Sequence, residues 1–175
     1  MFEISVIEVD NQKDNVVLKK SINLDKNLDC FLMISSSNKG LAENLLNISL
    51  ESIIDKISKE ETYNDFGIAL ENINSFLKTW RTDSEQEDEV DMSISILNEN
   101  NLMFSNIGKS TVYLVNKNSE IIELTERNEN KKSFLFISSG SLANSEIIIS
   151  STVNILKYLS KSDIIDGMVL SNDIE

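Results

Sequence analysis

The first part of the chain alternates apolar and polar residues in short stretches. Phe2–Val6 has an apolar residue at every second position, which predicts a half-buried strand. Asn15–Ile22 predicts a second strand, and the polar cluster Asn23–Asn27 predicts the turn after it. The short apolar run Phe31–Ile34 is typical of a buried strand. The chain is therefore expected to open with strands.

The period then changes from two residues to about 3.6. Leu41–Ile57 keeps its leucines and isoleucines roughly on one face, which predicts a helix. A second apolar stripe follows helical spacing more closely, at Phe66, Ala69, Leu70, Ile73, Phe76, Leu77 and Trp80. Because only Glu61–Asp65 connects the two segments, we expect an antiparallel helix pair with Trp80 in its core.

The segment Arg81–Asp91 (R-T-D-S-E-Q-E-D-E-V-D) is acidic and has no period. Such a stretch is typical of a solvated loop. A calcium site is the alternative interpretation of so many carboxylates, but the segment lacks the glycine that gives an EF-hand loop its tight turn. We therefore favour the loop.

Strand-like alternation returns after this loop, first at Met92, Ile94 and Ile96. Further strands are predicted at Leu102–Phe104, Thr111–Val115, Glu120–Leu124 and Ser133–Ser138, as in an antiparallel meander. We expect a third helix over Ser145–Leu159 and a short capped helical turn over Ser162–Gly167. This order of elements predicts an α+β fold with antiparallel sheets and helices on the outside.

Composition excludes several classes of function. At 175 residues a single domain is expected. The net charge of −13 and the lack of a basic stripe argue against a nucleic-acid partner. No apolar run approaches the ~18 residues of a membrane span, so we expect no membrane insertion. An acid at Glu3 and the lack of a basic leading segment argue against a signal peptide.

The lone Cys30 excludes an internal disulfide and is expected to pack as a small apolar residue. A reducing cytoplasm is the simplest location. The chain has no histidine, which excludes imidazole bases and histidine metal ligands. Without a histidine to activate a nucleophile, the serine clusters Ser35–Ser37 and Ser138–Ser141 are expected to cap helices and fill turns.

The segment Ser105–Val115 (S-N-I-G-K-S-T-V-Y-L-V) consists of two strand-like runs joined at a glycine. It resembles the N-V-G-D-S-R-x-Y-L hairpin of the metal-dependent protein phosphatases, the PPM or type 2C family. Gly108, Ser110 and Tyr113 match this pattern. Lys109 stands in place of the acid of the turn.

Two other segments resemble family turns in the same way, with the glycine kept and the acid lost. Phe31–Gly40 stands where the family has V-A-D-G-M-G-G ahead of a long helix, and Ser36 takes the position of the metal-bridging aspartate. Phe134–Leu142 resembles L-L-x-T-D-G-L, with Ser139 in place of another metal aspartate.

The ends of the chain match the family less well. The early N-E-D motif corresponds to Gln12-Lys13-Asp14, where Lys13 replaces the glutamate and only Asp14 keeps its acid. The final D-N-x-T strand is not recognisable, and Asn172-Asp173 is only its reverse. We therefore expect one PPM-like domain over residues 1–175 that lacks the family's last strand.

The resemblance implies two stacked antiparallel β-sheets flanked by helices, an αββα sandwich. It also implies that Ser36, Lys109 and Ser139 converge at one end, where the family's metals would sit. Two hard divalent ions need several carboxylates, which serines and lysines do not supply. One charge pair at ~4 Å is worth about 4 kcal/mol at an effective dielectric near 20. We therefore predict no cofactor and no catalysis, and a pseudophosphatase that binds a protein partner whose identity the residues do not reveal.

Two alternatives stay open. A divergent active phosphatase would assemble a metal site from Asp14, Asp163, Asp166 or Asp173. Metal-dependent thermal stabilisation separates it from an inactive domain. A structural adaptor or oligomerisation module with an unrelated α+β fold is the other alternative, and a single sheet would favour it.

Overall fold

The computed structural model describes residues 15–83, 88–125 and 131–172. Its elements are, in chain order, β1 (Val16–Asp25), β2 (Leu28–Ser36), α1 (Lys39–Lys56), α2 (Thr62–Asp83), β3 (Val90–Asn98), β4 (Asn101–Ile107), β5 (Thr111–Val115), β6 (Ile121–Glu123), β7 (Ser138–Ser141), β8 (Ile147–Ser151), a short 3-10 helix (Ile155–Lys157) and α3 (Lys161–Asn172). Within the described ranges, no helix combines the length and the apolar composition that crossing a membrane requires. The predicted strand Phe2–Val6 lies outside these ranges.

Five antiparallel strands form the large sheet, in the order β1-β2-β3-β4-β7. Tight turns join β1 to β2 and β3 to β4, and the amide of Glu99 in one turn donates to the carbonyl of Asn27 in the other (2.7 Å). Alternate residues of the strands, such as Ile34 and Ile94, face the helices and are fully buried. Cys30 is buried in the same layer, as predicted for a small apolar residue.

The helices α1 and α2 cover one face of the large sheet and pack against each other. The helical stripe predicted for α2 is confirmed, because Phe66, Ile73 and Leu77 are all buried. Trp80 packs half-buried against the same core. The helix α1 begins directly after β2, and the side chain of Asn38 caps it by accepting a hydrogen bond from the amide of Leu41 (3.1 Å).

Three antiparallel strands form the small sheet, in the order β6-β5-β8. Leu97 and Phe104 of the large sheet pack against Val112 of the small sheet, which makes a core between the sheets. On the opposite face of the small sheet, Tyr113 packs with Ile164 of α3. The layers are therefore helices, large sheet, small sheet and helix. The predicted α+β fold with two stacked antiparallel sheets flanked by helices is confirmed.

The last third of the chain departs from the prediction. Ser145–Leu159 is not a helix, since it contains β8 and the 3-10 helix. The run Ile147–Ile149 consists of β-branched residues that favour a strand, and β8 pairs with β5. The true helix is α3, and it replaces the short turn predicted at Ser162–Gly167. In place of the strand predicted at Ser133–Ser138, strand pairing begins only at Ser138.

Candidate functional site

One end of the sandwich gathers the residues that the sequence places in family turns. Here β2 ends at Ser36, which pairs with Val90 at the start of β3. The hairpin turn Gly108–Ser110 leads from β4 into β5, and Thr111 at the start of β5 pairs with Ser151 at the end of β8. We call this region the turn end: Ser35–Ser36, Asp88–Asp91, Gly108–Ser110 and Ser151–Thr152.

Ser36 serves the local geometry between β2 and α1. Its side chain is fully buried, and its hydroxyl accepts a hydrogen bond from the amide of Asn38 (3.2 Å). The Asn38 side chain in turn donates to the carboxylate of Asp88 (3.1 Å). A neutral hydroxyl thus stands at the position for which the resemblance implies a bridging carboxylate.

Asp91 is a buried acid that sequence reasoning assigned to a solvated loop. That assignment is wrong because β3 begins at Val90, and the side chain of Asp91 is only 3% exposed. One carboxylate oxygen, Oδ1, accepts a hydrogen bond from the amide of Lys109 (2.6 Å). A Cβ atom at Gly108 would lie 2.2 Å from the same oxygen. The alternation of Asp91 and Ser93 with the apolar Val90 and Met92 was the signal that could have revealed this position.

Burial controls the electrostatics of Asp91. It raises the pKa of this carboxyl, and the amide and the positive charge of Lys109 only partly offset that rise. The nearby charge of Glu89 raises the pKa of Asp91 further. The Asp91 carboxylate therefore anchors the hairpin turn from a position that water reaches poorly.

Lys109 brings a positive charge to the turn end. Its ammonium nitrogen lies 2.8 Å from Oε2 of Glu89. Both side chains are largely exposed, so the ion pair contributes at most about 1 kcal/mol to stability. The ion pair matters more for metal binding than for stability, because the carboxylate of Glu89 already has the Lys109 ammonium as its positively charged partner.

Ser139 does not lie at the turn end, so the expected convergence of three residues is wrong for this one. Ser139 is exposed on β7 and pairs with Met103. Met103 pairs with Ile96, which pairs with Cys30. Ser36 lies six residues further along β2 than Cys30, about 20 Å away along the strand direction alone. Ser36 and Lys109 are therefore brought to one end of the sandwich, and Ser139 is not.

The strand that reaches the turn end is β8, which the sequence pattern had assigned to a helix. It ends at Ser151, and Thr152 follows directly. The hydroxyl of Thr111 donates to the carbonyl of Val153 (2.9 Å), which fixes the chain just after β8. Ser151 and Thr152 are thus positions of this end that sequence reasoning missed, and neither carries an acid.

The remaining predicted acids do not join this group within the described residues. Lys13, Asp14 and Asp173 lie outside the described ranges. Asp163 instead caps α3, where its Oδ2 accepts hydrogen bonds from the amide (2.9 Å) and the hydroxyl (2.6 Å) of Ser160. These bonds lower the pKa of Asp163. Asp166 is exposed on the same helix.

A binuclear metal centre does not fit the described part of the chain. Residues 15–83, 88–125 and 131–172 contain no group of three or more Asp, Glu, Cys or His side chains placed to hold a metal ion. The acids of the turn end already have partners. Asp91 accepts a hydrogen bond from the amide of Lys109, and Glu89 pairs with the ammonium of the same lysine. Asp88 accepts hydrogen bonds from the side chains of Asn38 and Trp80. Cys30 is not a candidate nucleophile either. Burial raises the pKa of its thiol, so the reactive thiolate does not form at neutral pH.

Neither protein-family models nor curated proteins give a match to this sequence. Solved structures do match. The serine/threonine phosphatase of S. agalactiae superposes with a TM-score of 0.63 at 11% identity, over 90% of this chain and 80% of that one. The fold is that of a PPM phosphatase domain.

Two further PPM phosphatases support the assignment of the fold. The catalytic domain of the phosphatase PstP, in complex with two manganese ions, gives a TM-score of 0.60 at 9% identity, over 87% of this chain and 83% of that one. The PP2C domain of SpoIIE from Bacillus subtilis gives 0.53 at 16% identity over 74% of this chain. This chain spans only 38% of that SpoIIE chain. At these identities the likeness concerns the PPM fold.

Proposed function

We propose that this chain is a catalytically inactive PPM-like domain, a pseudophosphatase that occupies residues 1–175 as a single domain. Its role is to bind another protein, as a scaffolding or regulatory module. The observation that carries the proposal is the chemistry of the turn end, where the carboxylates are engaged and the cation is Lys109.

A phosphatase of the metal-dependent kind needs carboxylates that are free to bind divalent ions and to generate hydroxide. A metal ion at the turn end would have to displace the Lys109 ammonium from Glu89. Binding by Asp91 would compete with the hydrogen bond that holds the Lys109 amide. Metal binding would therefore oppose contacts that maintain the hairpin turn.

The alternative, a divergent active phosphatase, has less support. Its site was to use Asp14, Asp163, Asp166 or Asp173. Within the described residues, Asp163 is engaged in capping α3 and Asp166 lies on that helix at the outer layer of the sandwich. The adaptor with an unrelated fold has lost its basis, because two stacked sheets with a PPM arrangement are present.

The decisive experiment combines thermal unfolding with an activity assay on the purified full chain. A specific ion at 100 times its dissociation constant adds about 2.7 kcal/mol to the free energy of unfolding. With potassium chloride holding the ionic strength constant, we expect manganese and magnesium to leave Tm where a chelator leaves it, and p-nitrophenyl phosphate to stay intact. A metal-dependent rise in Tm together with metal-dependent hydrolysis would show that the domain is an enzyme.

A variant at the turn end tests the part played by the lysine. Lys109→Asp adds a carboxylate beside Glu89 and Asp91 and removes the resident cation. We expect this variant to gain a manganese-dependent rise in Tm. Lys117→Asp is the matched control, because Lys117 is also an exposed lysine in a hairpin turn but lies between β5 and β6. Equal responses of the two variants would contradict a special role for Lys109.

The binding role has its own test. The full chain at its native concentration in extracts of the source cell is expected to elute from a sizing column in a stoichiometric complex with another protein, identified by cross-linking. Elution as the free chain would contradict the role as a binding module and would leave the absence of catalysis untouched.

A further inference from the structure

A segment at the border of the large sheet leads from the turn end to β7. This rim segment, residues 131–137, begins where the carbonyl of Lys131 accepts a hydrogen bond from the amide of Gly108 (2.9 Å). It then runs along α2, where the side chain of Arg81 donates to the carbonyl of Lys132. The rim segment is therefore held in place at the side of the domain.

The rim segment presents two neighbouring apolar side chains to solvent. Leu135 is 58% exposed and Phe136 is 65% exposed, so neither is used to fill the core. The carbonyl of Phe136 accepts a hydrogen bond from the hydroxyl of Ser105 on β4 (2.6 Å), which fixes the backbone that carries the ring. Adjacent exposed apolar side chains on a fixed backbone are typical of a contact surface.

Basic side chains flank these two residues. The ammonium nitrogen of Lys131 lies 5.7 Å from the centroid of the Phe136 ring, and Lys132 is exposed on the same segment. On α2, Arg81 contacts the segment, and Lys78, one turn earlier, is exposed on the same face of the helix. In a chain whose net charge is −13, these side chains form a local concentration of positive charge.

The apolar and basic side chains together form what we call the basic–apolar strip: Lys78, Arg81, Lys131, Lys132, Leu135 and Phe136. A partner with acidic side chains would be attracted to this strip and repelled by the rest of an acidic domain. A basic or uncharged partner would have no electrostatic reason to prefer it. The strip therefore suits an acidic segment that also carries apolar side chains.

The strip continues into a sheet edge with open backbone groups. In the described residues, β7 pairs with β4 and with no other strand. The amide of Leu142 donates to the carbonyl of Asn100 (2.7 Å), so Leu142 directs its backbone groups toward β4. Since these groups alternate along a strand, the N–H and C=O groups of Ser139 and Ser141 point away from β4. Such an edge is a template for an extended segment of another chain.

We propose that an acidic segment of a partner protein, with apolar side chains among its carboxylates, binds in extended form along the rim segment and β7. Its backbone pairs with the open edge of β7, and its side chains meet the apolar and basic residues of the strip. The inference rests on the proposed role of the chain as a binding module, and it names the surface and the class of partner. It does not depend on whether the domain is catalytically inactive.

Fluorescence anisotropy of a labelled synthetic peptide, titrated with the purified full chain, tests the proposal. The probe alternates glutamate with valine and phenylalanine over about ten residues, long enough to follow residues 131–141 at ~3.3 Å per residue. The comparison peptide has serine in place of every apolar residue. We expect the probe to bind at least about tenfold more tightly than this comparison peptide.

Two variants of the strip locate the binding. Phe136→Ser removes the exposed ring and Lys131→Glu reverses one charge, and each is expected to weaken binding of the probe at least about tenfold. Tyr158→Ser is the matched control for the ring, since Tyr158 is 51% exposed at the end of the 3-10 helix. Lys56→Glu makes the same change of net charge at the exposed end of α1. Both controls are expected to bind the probe as the wild type does.

Amide hydrogen exchange, resolved by residue with NMR, tests the backbone contact. With the probe bound, we expect the amides of Ser139 and Ser141 to exchange at least about tenfold more slowly than in the free chain. Unchanged exchange at both amides would contradict pairing with the edge of β7. Protection that rises with protein concentration in the absence of the probe would instead assign the edge to a second copy of the chain.

Failure of the probe to bind, or binding that Phe136→Ser and Lys131→Glu leave unchanged, would overturn the proposal. If the chain nevertheless elutes from cell extracts in a stoichiometric complex, the role as a binding module stands and only this surface is wrong. Elution as the free chain would contradict the binding role itself. The two failures are therefore distinguishable.

Discussion

Gly108 and Asp91 work as a pair at the turn end. Gly108 has a φ of +66°, a conformation that glycine adopts without the penalty of a side chain. Its missing side chain also leaves room for Oδ1 of Asp91, which accepts the hydrogen bond of the next amide. The turn therefore depends on a small residue and an acid that are far apart in sequence.

Replacement of Gly108 by alanine is expected to destabilise the domain by about 2 kcal/mol or more, because strain at positive φ adds to a clash with Asp91. Urea unfolding measures the change in the free energy of unfolding. Gly140→Ala is the control, since no atom lies within 4 Å of the added Cβ, and we expect a change within about 0.5 kcal/mol. Similar losses in both variants would contradict the account of the turn.

The pH dependence of stability reports the burial of Asp91. Because the pKa of Asp91 is raised in the folded state, the native chain binds more protons than the unfolded chain between the ordinary value, about 3.9, and the raised one. The contribution of Asp91 to the free energy of unfolding therefore increases as pH falls through that window, and it is lost as pH rises again. We expect the wild type to gain stability relative to Asp91→Asn on acidification from neutral pH toward 4, in urea unfolding at each pH. A constant difference between the two proteins would contradict a raised pKa.

At the scale of elements, α2 holds the segment before β7 through Asn74, and Arg81 of the same helix also donates to the carbonyl of Lys132. The Asn74 side chain donates to the carbonyl of Phe134 and accepts from the amide of the same residue, both at 2.8 Å. Ile137 lies 3.9 Å from the position of a Cβ at Gly67, two turns earlier on α2. The extended segment thus runs along the helix, and this attachment replaces the strand pairing predicted for it.

Asn74→Ala leaves both backbone groups of Phe134 without this partner. Since Phe134 is only 5% exposed, we expect a loss of about 2 kcal/mol in the free energy of unfolding and faster exchange of the Phe134 amide. Asn72→Ala, an exposed position on the same helix, should change stability by no more than about 0.5 kcal/mol. An Asn74→Ala protein as stable as its control would show that the attachment contributes nothing.

At the scale of the whole molecule, the net charge of −13 dominates the electrostatics. Such a charge repels itself more in the compact state than in the expanded one. At physiological ionic strength the screening length is about 8 Å, so salt weakens this repulsion. Apolar burial in the cores on the two sides of the large sheet is the main stabilising contribution that opposes this repulsion.

Potassium chloride is therefore expected to raise Tm from its low-salt value, by roughly 3 °C for each kcal/mol of repulsion that is screened. Scanning calorimetry measures the shift. Magnesium chloride at equal ionic strength is the comparison, and an equal shift is expected if screening alone acts. A fall in Tm on adding potassium chloride would contradict net self-repulsion.

The sequence was most informative where a pattern was long and local. The helical stripe from Phe66 to Trp80 predicted α2, and the alternation around Ile94 predicted β3. The glycine turn at Gly108 was predicted because glycine readily adopts the positive φ of such a turn. The resemblance to PPM phosphatases followed from three short glycine-containing motifs and predicted both sheets and their stacking, although Gly40 lies in α1 and Gly140 in β7.

The position of a residue in the fold was not predictable from the sequence where its strand pairs with a strand that is distant along the chain. Asp91 belonged to an acidic stretch by composition, and only the register of β3 against β2 placed it in a buried position. Ser139 matched a motif locally, yet pairing of β7 with β4 places it far from Ser36. The run Ile147–Ile149 fits a helix or a strand by itself, and its pairing with β5 decided for the strand.

The amino-acid sequence by itself determined which acids this protein lacks, since a serine at position 36 and a lysine at position 109 are fixed by covalent structure. It also determined the two helices, whose causes lie within a few residues, and the position of the glycine turn at Gly108. Only the tertiary structure decided that Lys109 neutralises Glu89, that Asp91 anchors the turn and that β8 ends beside them. The physical reason is that hydrogen bonds and ion pairs depend on distances between strands, which local patterns do not contain.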